Sequence, residues 1–387
     1  VGELHRPQPV APEWSRLQWQ IAKSASAIHG ISGLLAHSLR WAGPAHWRAF
    51  LEDQSRQVAG RLPRIQALLK QLDSAAASHG IALVALKGAA LHALGLYGPG
   101  DRPMADIDLL AREGDAAALA AVLGRLGYQE AGSTWKHRAY QPVIPQGTPG
   151  EIGELASTDI KIELHTAIQE ALPLRVVDIS SAIFPVRPHP GLNPYPSMAA
   201  AMLHIMLHAA GAMVFRESRA LHLRDIAGLC RHLSPADWEE VLELAAAQDC
   251  NGTWWIYPPL RLANRYFDCV PPRVMERALR ACPRRLYRWY RDRTITEISY
   301  SRLWVSAFPG LEWARSAREI MTYVARRVRP SAETIAMRRA FALSQPQASG
   351  GEWSQTPQSQ RILRWLLARQ PRPATLHGVR AALKLPA

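Results

Sequence analysis

Apolar positions along this chain run first at helical spacing, then at strand spacing, then at helical spacing again. Residues 13–60 carry Trp14, Leu17, Trp19, Ile28 and Leu34 among their apolar positions and predict a helical lead-in. Arg64–His79 follows as an amphipathic helix with Ile65, Leu68, Leu69 and Leu72 on its apolar stripe. Ile81–Leu86 is an unbroken apolar run of strand length, ended by Lys87-Gly88, and Ala89–Gly95 reads as a short helix. Polar and apolar residues alternate through Asp106–Leu110 and Asp159–His165, which predicts two further strands. Asp115–Leu126 reads as a helix closed by Gly127. Beyond residue 197 the spacing is helical over 198–215, 219–233, 234–248, 253–265, 272–292 and 311–328. Ser234-Pro235 supplies a cap residue with proline at the first helical position.

Punctuation divides these elements. A loop rich in Pro and Gly at 142–153 precedes the strand holding Glu163, and a Pro-rich connector spans Phe184–Ser197. The expected organisation is an N-terminal lead-in (1–60), an α/β unit (61–190), a helical unit (197–340), and a linker with a basic tail (341–387). Ser344–Ser359 has linker composition, followed by a last helix at Gln360–Arg369. No internal repeat is visible.

The chemistry sits on the strands. Side chains alternate across a strand, so Asp106 and Asp108 share one face while Ile107 and Leu109 point into the core. Two like charges on one face repel, and a divalent cation between them removes the penalty. Hard oxygen ligands suit Mg²⁺. Upstream, a strand that turns through Lys87-Gly88 into a helix aims backbone N–H groups at whatever lies above the turn. Gly88 permits close approach of a phosphate, and Lys87 adds a point charge. In Asp159–His165 the polar face carries Lys161, Glu163 and His165, making Glu163 the candidate third carboxylate with Asp159 as the alternative.

The segments LKGAAL (86–91), LYGPGDRPMADIDLLA (96–111) and ALAAVLGRLGY (118–128) resemble a nucleotidyltransferase-like family of the polymerase-beta superfamily. The resemblance continues through Ile160–His165 and LHLRDIAGLCRHLSPADWEEVLELA (221–245), so it spans roughly residues 60–340. It implies an α+β fold: a small mixed sheet flanked by helices, with two carboxylates on one strand and a third on a neighbour, followed by a mostly helical second domain. The superfamily's usual turn is Gly-Ser, where this chain has Lys87-Gly88. The implied reaction moves a nucleoside monophosphate from an NTP, ATP by default, to an acceptor hydroxyl or phosphate. Asp106, Asp108 and Glu163 would hold Mg²⁺ or Mn²⁺ and serve catalysis. Lys87, Gly88 and Arg102 would face the nucleotide, and the acceptor, a small molecule, peptide or protein, is left open. Relatives beside peptide and polysaccharide biosynthesis genes make tailoring of a peptide or glycan precursor an expectation by analogy. Two other readings stand beside it: a nucleotide- or peptide-binding module without turnover, and a glycosyltransferase, whose Asp-x-Asp strand holds Mn²⁺.

Arg102 lies in a turn built by Gly98-Pro99-Gly100, where it would grip either a phosphate or a structural carboxylate. His204 and His208, four apart on one helix face, lack a third zinc ligand and read as packing residues near the cleft. With His165 and Asp225 they are candidates for the pocket wall, and Asp225 would pair with a histidine or build the acceptor side.

Composition adds direction. The 46 basic residues comprise 40 Arg and 6 Lys, and residues 271–387 hold 22 basic against 7 acidic side chains. The Arg preference matches the coding bias of a GC-rich bacterial genome, but not the local charge excess. Tyr287 and Trp289 interleave with arginines in 284–293, yet on an amphipathic helix such aromatics pack, so nucleic-acid binding is not favoured. Four cysteines without C-x-x-C spacing suit a reducing cytoplasm. The first thirty residues carry Pro, Glu and Arg where a signal peptide would be apolar, and Val1 suggests a trimmed start. No apolar run is expected to reach the ~18–20 residues of a membrane span.

Overall fold

A computed structural model describes the chain except for residues 146, 148–151, 249–251, 333, 337–355 and 384–387. Three helices open it: α1 (Arg16–Ile28), α2 (Ser32–Ser38) and α3 (Ala45–Ser78). A capping box sets the start of α1: the Ser15 hydroxyl accepts from the Gln18 amide, and the Gln18 side chain accepts from the Ser15 amide. The α3 helix runs unbroken through residue 60 and through Pro63. Its stripe of Val58, Leu62, Ile65, Leu68, Leu72 and Ala76 is buried along the sheet.

The strands are β1 (Ala82–Ala85), β2 (Asp106–Ala111), β3 (Tyr128–Ser133), β4 (Arg138–Pro142), β5 (Lys161–His165), β6 (Gln169–Ala171), β7 (Val176–Asp178) and β8 (Gly191–Asn193). Six form one mixed sheet in the order β3-β4-β5-β2-β1-β8, and β6 pairs with β7 in a separate hairpin. The central pair, β2 and β5, is parallel; β1 and β4 run antiparallel to them on either side. The helix α4 (Lys87–Ala93) follows β1, and α5 (Ala116–Arg125) follows β2.

One face of the sheet is apolar. Leu83, Ile107, Leu109, Ile162 and Leu164 are essentially fully buried in a cluster with the α3 stripe and with Leu119, Val122 and Leu123 of α5. Burying each such side chain is worth about 1.5–3 kcal/mol. The other face carries the charged residues, and there the larger core begins, with Val84 and Leu110 packed among the helices. These are α6 (Ser180–Ile183), α7 (Met198–Phe215), α8 (Ala220–Cys230), α9 (Pro235–Gln248), α10 (Tyr257–Phe267), α11 (Pro272–Ala281), α12 (Arg284–Tyr290), α13 (Ile295–Ile298) and α14 (Ala317–Val328). Two more follow, α15 (Gln358–Leu367) and α16 (Pro373–Leu383).

The α+β architecture agrees with the sequence expectation, and several elements amend it. The strands β3, β4, β6, β7 and β8 were not anticipated, and β8 lies inside the Pro-rich connector. The expected helix at 272–292 is broken at Cys282, because Pro283 drives the residue before it out of the helical region. The expected helix at 311–328 begins only at Ala317. The 344–359 linker lies almost wholly outside the described residues. The basic tail contains α16, where Gly378 packs against Ser24 and Ile28 of α1; a side chain there would come within 3.2 Å of both.

The expectation about membrane spans is also corrected. At 18 residues and a mean hydropathy of 1.7, α7 is long and apolar enough to cross a membrane. It is instead mostly buried among other elements of the chain, as the core helix of the helical layer.

Candidate active site

The charged face of the sheet is centred on β2 and β5. Their parallel register places Asp106 beside Lys161, Asp108 beside Glu163 and Leu110 beside His165. Asp106, Asp108, Glu163 and His165 therefore face the same side, brought together by alternation on two adjacent strands. Asp159 precedes β5, and its backbone carbonyl accepts from Arg61 at 3.0 Å.

Arg61 belongs to this frame although its role was not read from the sequence. Only 1% exposed on α3, it donates to the carbonyls of Met104 (2.8 Å), Ala105 (3.1 Å) and Asp159, and also to that of Thr158. One guanidinium thus ties together the chain segments entering β2 and β5. It lies on the apolar stripe of α3, where a charged residue is out of place unless it has partners.

Lys87 closes the site from β1. Its φ of +45° is unusual for a residue with a side chain. Its amide donates to the Tyr195 hydroxyl at 3.1 Å, and that hydroxyl lies 2.7 Å from Nδ1 of His204. Its ammonium meets Oδ1 of Asp108 at 2.7 Å. Nε2 of His165 reaches the same oxygen at 3.1 Å. Gly88 has a different occupant from the one expected. A Cβ there would lie 2.4 Å from Nη1 of Arg102 and 2.8 Å from Cγ of Met104, so the missing side chain makes room for protein atoms.

Arg102 grips a carboxylate. Its Nε and Nη2 meet the two oxygens of Asp225, each at 2.9 Å, and the Tyr97 hydroxyl donates to Asp225 at 2.7 Å. All three are buried, so Arg102 and Asp225 clamp the loop before β2 onto α8. Both are occupied there: Arg102 is committed to protein rather than to nucleotide, and Asp225 pairs with this arginine instead of a histidine. His204 supports Tyr195, while His208 stacks edge to face on His222 with ring centres 4.9 Å apart. Burial holds His204 near pKa 3 and His208 well below the usual histidine value, so both are neutral packing residues.

The carboxylates titrate apart. Burial would raise Asp108, but the Lys87 ammonium and the His165 hydrogen bond hold it well below the usual range. Burial and the Asp108 charge raise Asp106. Burial, then the charges of Asp108 and Asp106, push Glu163 up to about 9. Glu154, in the loop before β5, is raised by burial and senses the charges of Arg61, Arg219 and Asp106; it was not anticipated. The group as a whole is short of positive charge, with Lys87 compensating mainly Asp108.

That deficit is the test of metal fit. Three carboxylates with repelling charges on one face form a hard oxygen set that a divalent cation would satisfy. On the adjoining side, His137 of the β3–β4 turn, Glu163 and His165 each offer a ligand atom, all within 4.8 Å of one another. Burial pushes His137 down to about 4, leaving a neutral imidazole able to ligate. Imidazole ligands suit Zn²⁺ better than Mg²⁺. The β3–β4 ribbon escaped sequence reading because it is largely exposed, with only Tyr140 buried.

The charged face thus gathers Asp106, Asp108 and Glu163 on a parallel strand pair, next to the Lys87 turn. Residues 15–268 match the model of a family described as uncharacterised nucleotidyltransferases, and the chain belongs to that family. Its activity is thus of the nucleotidyltransferase class, with a nucleotide as substrate. The match starts nearer the N-terminus than the motifs alone indicated, taking in α1 to α3, and stops at 268 rather than near 340. No curated protein and no solved structure matches the chain.

Proposed function

We propose that the protein is a divalent-cation-dependent nucleotidyltransferase that moves a nucleoside monophosphate from an NTP to a hydroxyl or phosphate acceptor. The observation that carries this reading is the in-register placement of Asp108 and Glu163 on parallel strands, with Asp106 on the same face. Asp106 and Asp108 would hold the cation, with Glu163 at its edge. Bound there, Mg²⁺ or Mn²⁺ supplies neutralisation of the triphosphate and of the leaving pyrophosphate. Lys87 presents its ammonium to the same phosphates, and the Tyr195–His204 pair fixes its backbone. A cation bound there would lower the Glu163 carboxyl from about 9, so that its carboxylate would take the proton of the acceptor hydroxyl as the new bond to the α-phosphorus forms and the bond to pyrophosphate breaks. The acceptor is proposed to be a small molecule or a peptide, including a peptide or glycan precursor under construction.

The Lys87–Asp108 ion pair favours one alternative, a nucleotide-binding module without turnover. The test compares pyrophosphate release from each of the four NTPs with Mg²⁺ or Mn²⁺, in the presence of candidate acceptors. Wild type should release pyrophosphate only with a cation, and Asp106→Ala and Asp108→Ala should not. Stabilisation by NTP with no pyrophosphate from any acceptor would support the binding module, and transfer from a labelled UDP-sugar would indicate a glycosyltransferase.

A further inference from the structure

A cavity of about 370 Å³ lies outside this site. Of its nine lining residues all but Arg216 fall beyond residue 268, outside the segment matching the family. Its walls hold four arginines, Arg216, Arg285, Arg293 and Arg302, with Trp289 and Phe308.

The charges do not balance. Arg216, at the left-handed end of α7, meets Glu312 in a buried two-point pair at 2.8 and 2.9 Å. Arg293 pairs with Glu297. Among the described residues, neither Arg285 nor Arg302 has a carboxylate partner. Arg302 is half-buried, and its nearest hydrogen bond is a 3.5 Å contact to the Glu297 carbonyl. Burial lowers its pKa, the charges of Arg216 and Arg293 lower it further, and the Glu297 charge offsets part of this. Arg285 is exposed, so the cost of crowding falls on the half-buried Arg302, and a bound anion would return it.

The aromatic walls narrow the ligand. The guanidinium carbons of Arg216 and Arg293 sit 4.3 and 4.6 Å from the Trp289 ring centre, so that ring is engaged by cations within the protein. Recognition therefore falls to charge, with Phe308 the remaining aromatic surface. Two guanidinium forks on one pocket wall, neither with an ion pair among the described residues, match a dianion with several acceptor oxygens, as a phosphate has. The volume lies in the range of small-molecule sites, roughly 300–1,000 Å³, which leaves room for more than a bare ion.

We propose that this pocket binds a phosphomonoester dianion carried on a small molecule, in contact with Arg285 and Arg302. The site is independent of the reaction assigned to the sheet. It is not remote from it: residue 216 lines the pocket, and Arg219, three residues on, acts on the charge of Asp106.

The full chain is titrated calorimetrically, without divalent cation, with inorganic phosphate and with ribose 5-phosphate. Ribose 5-phosphate is expected to bind more tightly than about 1 mM and at least tenfold more tightly than inorganic phosphate. The Arg285→Gln/Arg302→Gln double variant should lose at least tenfold in that affinity while its melting temperature without ligand stays the same or rises, since charge repulsion is removed. Equal affinity for the two probes would assign the site to free phosphate and overturn the small-molecule ligand. Unchanged affinity in the double variant, or no binding by wild type, would overturn the site itself.

Discussion

The two faces of the central sheet are built from the same strands and obey opposite rules. On one, Ile107, Leu109, Ile162 and Leu164 exclude water and gain free energy from contact with α3 and α5. On the other, the alternate residues Asp106, Asp108 and Glu163 share one side, where the Asp108 charge raises the cost of ionising Asp106 and both raise that of Glu163. The apolar face stabilises a geometry which the charged face, left alone, would oppose. Stability and chemistry are divided between odd and even positions of one strand.

The sharpest way to probe that division is through activity. Asp106→Ala and Asp108→Ala should each lower cation-dependent pyrophosphate release by about 1,000-fold, roughly 4 kcal/mol in the barrier, with unchanged circular dichroism. A variant retaining most of its activity would remove that carboxylate from the chemistry. Next in size, Ile162→Ala on the apolar face should cost about 3 kcal/mol in urea unfolding. A loss below about 1 kcal/mol would mean that this face is not what holds the strands.

Tyr195→Phe tests the support between the two regions. It leaves the buried Nδ1 of His204 and the Lys87 amide without their partner, a cost of about 1–2 kcal/mol. The smallest effect has the opposite sign. Glu163→Gln should raise the melting temperature of the cation-free protein at pH 7.5 by about 1–3 °C. The folded carboxyl titrates near 9 against an ordinary value of 4.5, so the wild type binds this proton more tightly when folded. It therefore loses stability as pH rises from about 4.5 through about 9, and glutamine does not titrate. The advantage of the variant should grow across that window and vanish near its acid end. An advantage independent of pH would break the assignment of repulsion to Glu163.

Sequence reading reached the parts of the site that local alternation encodes. Asp106, Asp108, Glu163 and His165 declare their shared face by being two residues apart on apolar strands, and Lys87-Gly88 by ending one. It failed where the partner is distant. The clamp of Arg102 on Asp225 spans 123 residues, and no spacing in the chain connects them. Arg61 was detectable in principle, since it falls on the stripe defined by Val58, Ile65 and Leu68, but the carbonyls that satisfy it belong to other elements. The strands β3 and β4 bury too little to leave a period-two pattern, so His137 was invisible as a site neighbour. The three-residue β8 is an edge strand among prolines, and only its parallel pairing with β1 identifies it.

The packing of Gly378 on Ser24 and Ile28 bears on the timing of synthesis. That flank of α1 leaves the ribosome some 350 residues before its partner helix. At 5–20 residues per second the interval is roughly 20–70 s. Until α16 emerges, this flank of the nascent chain is without the native cover that α16 gives it.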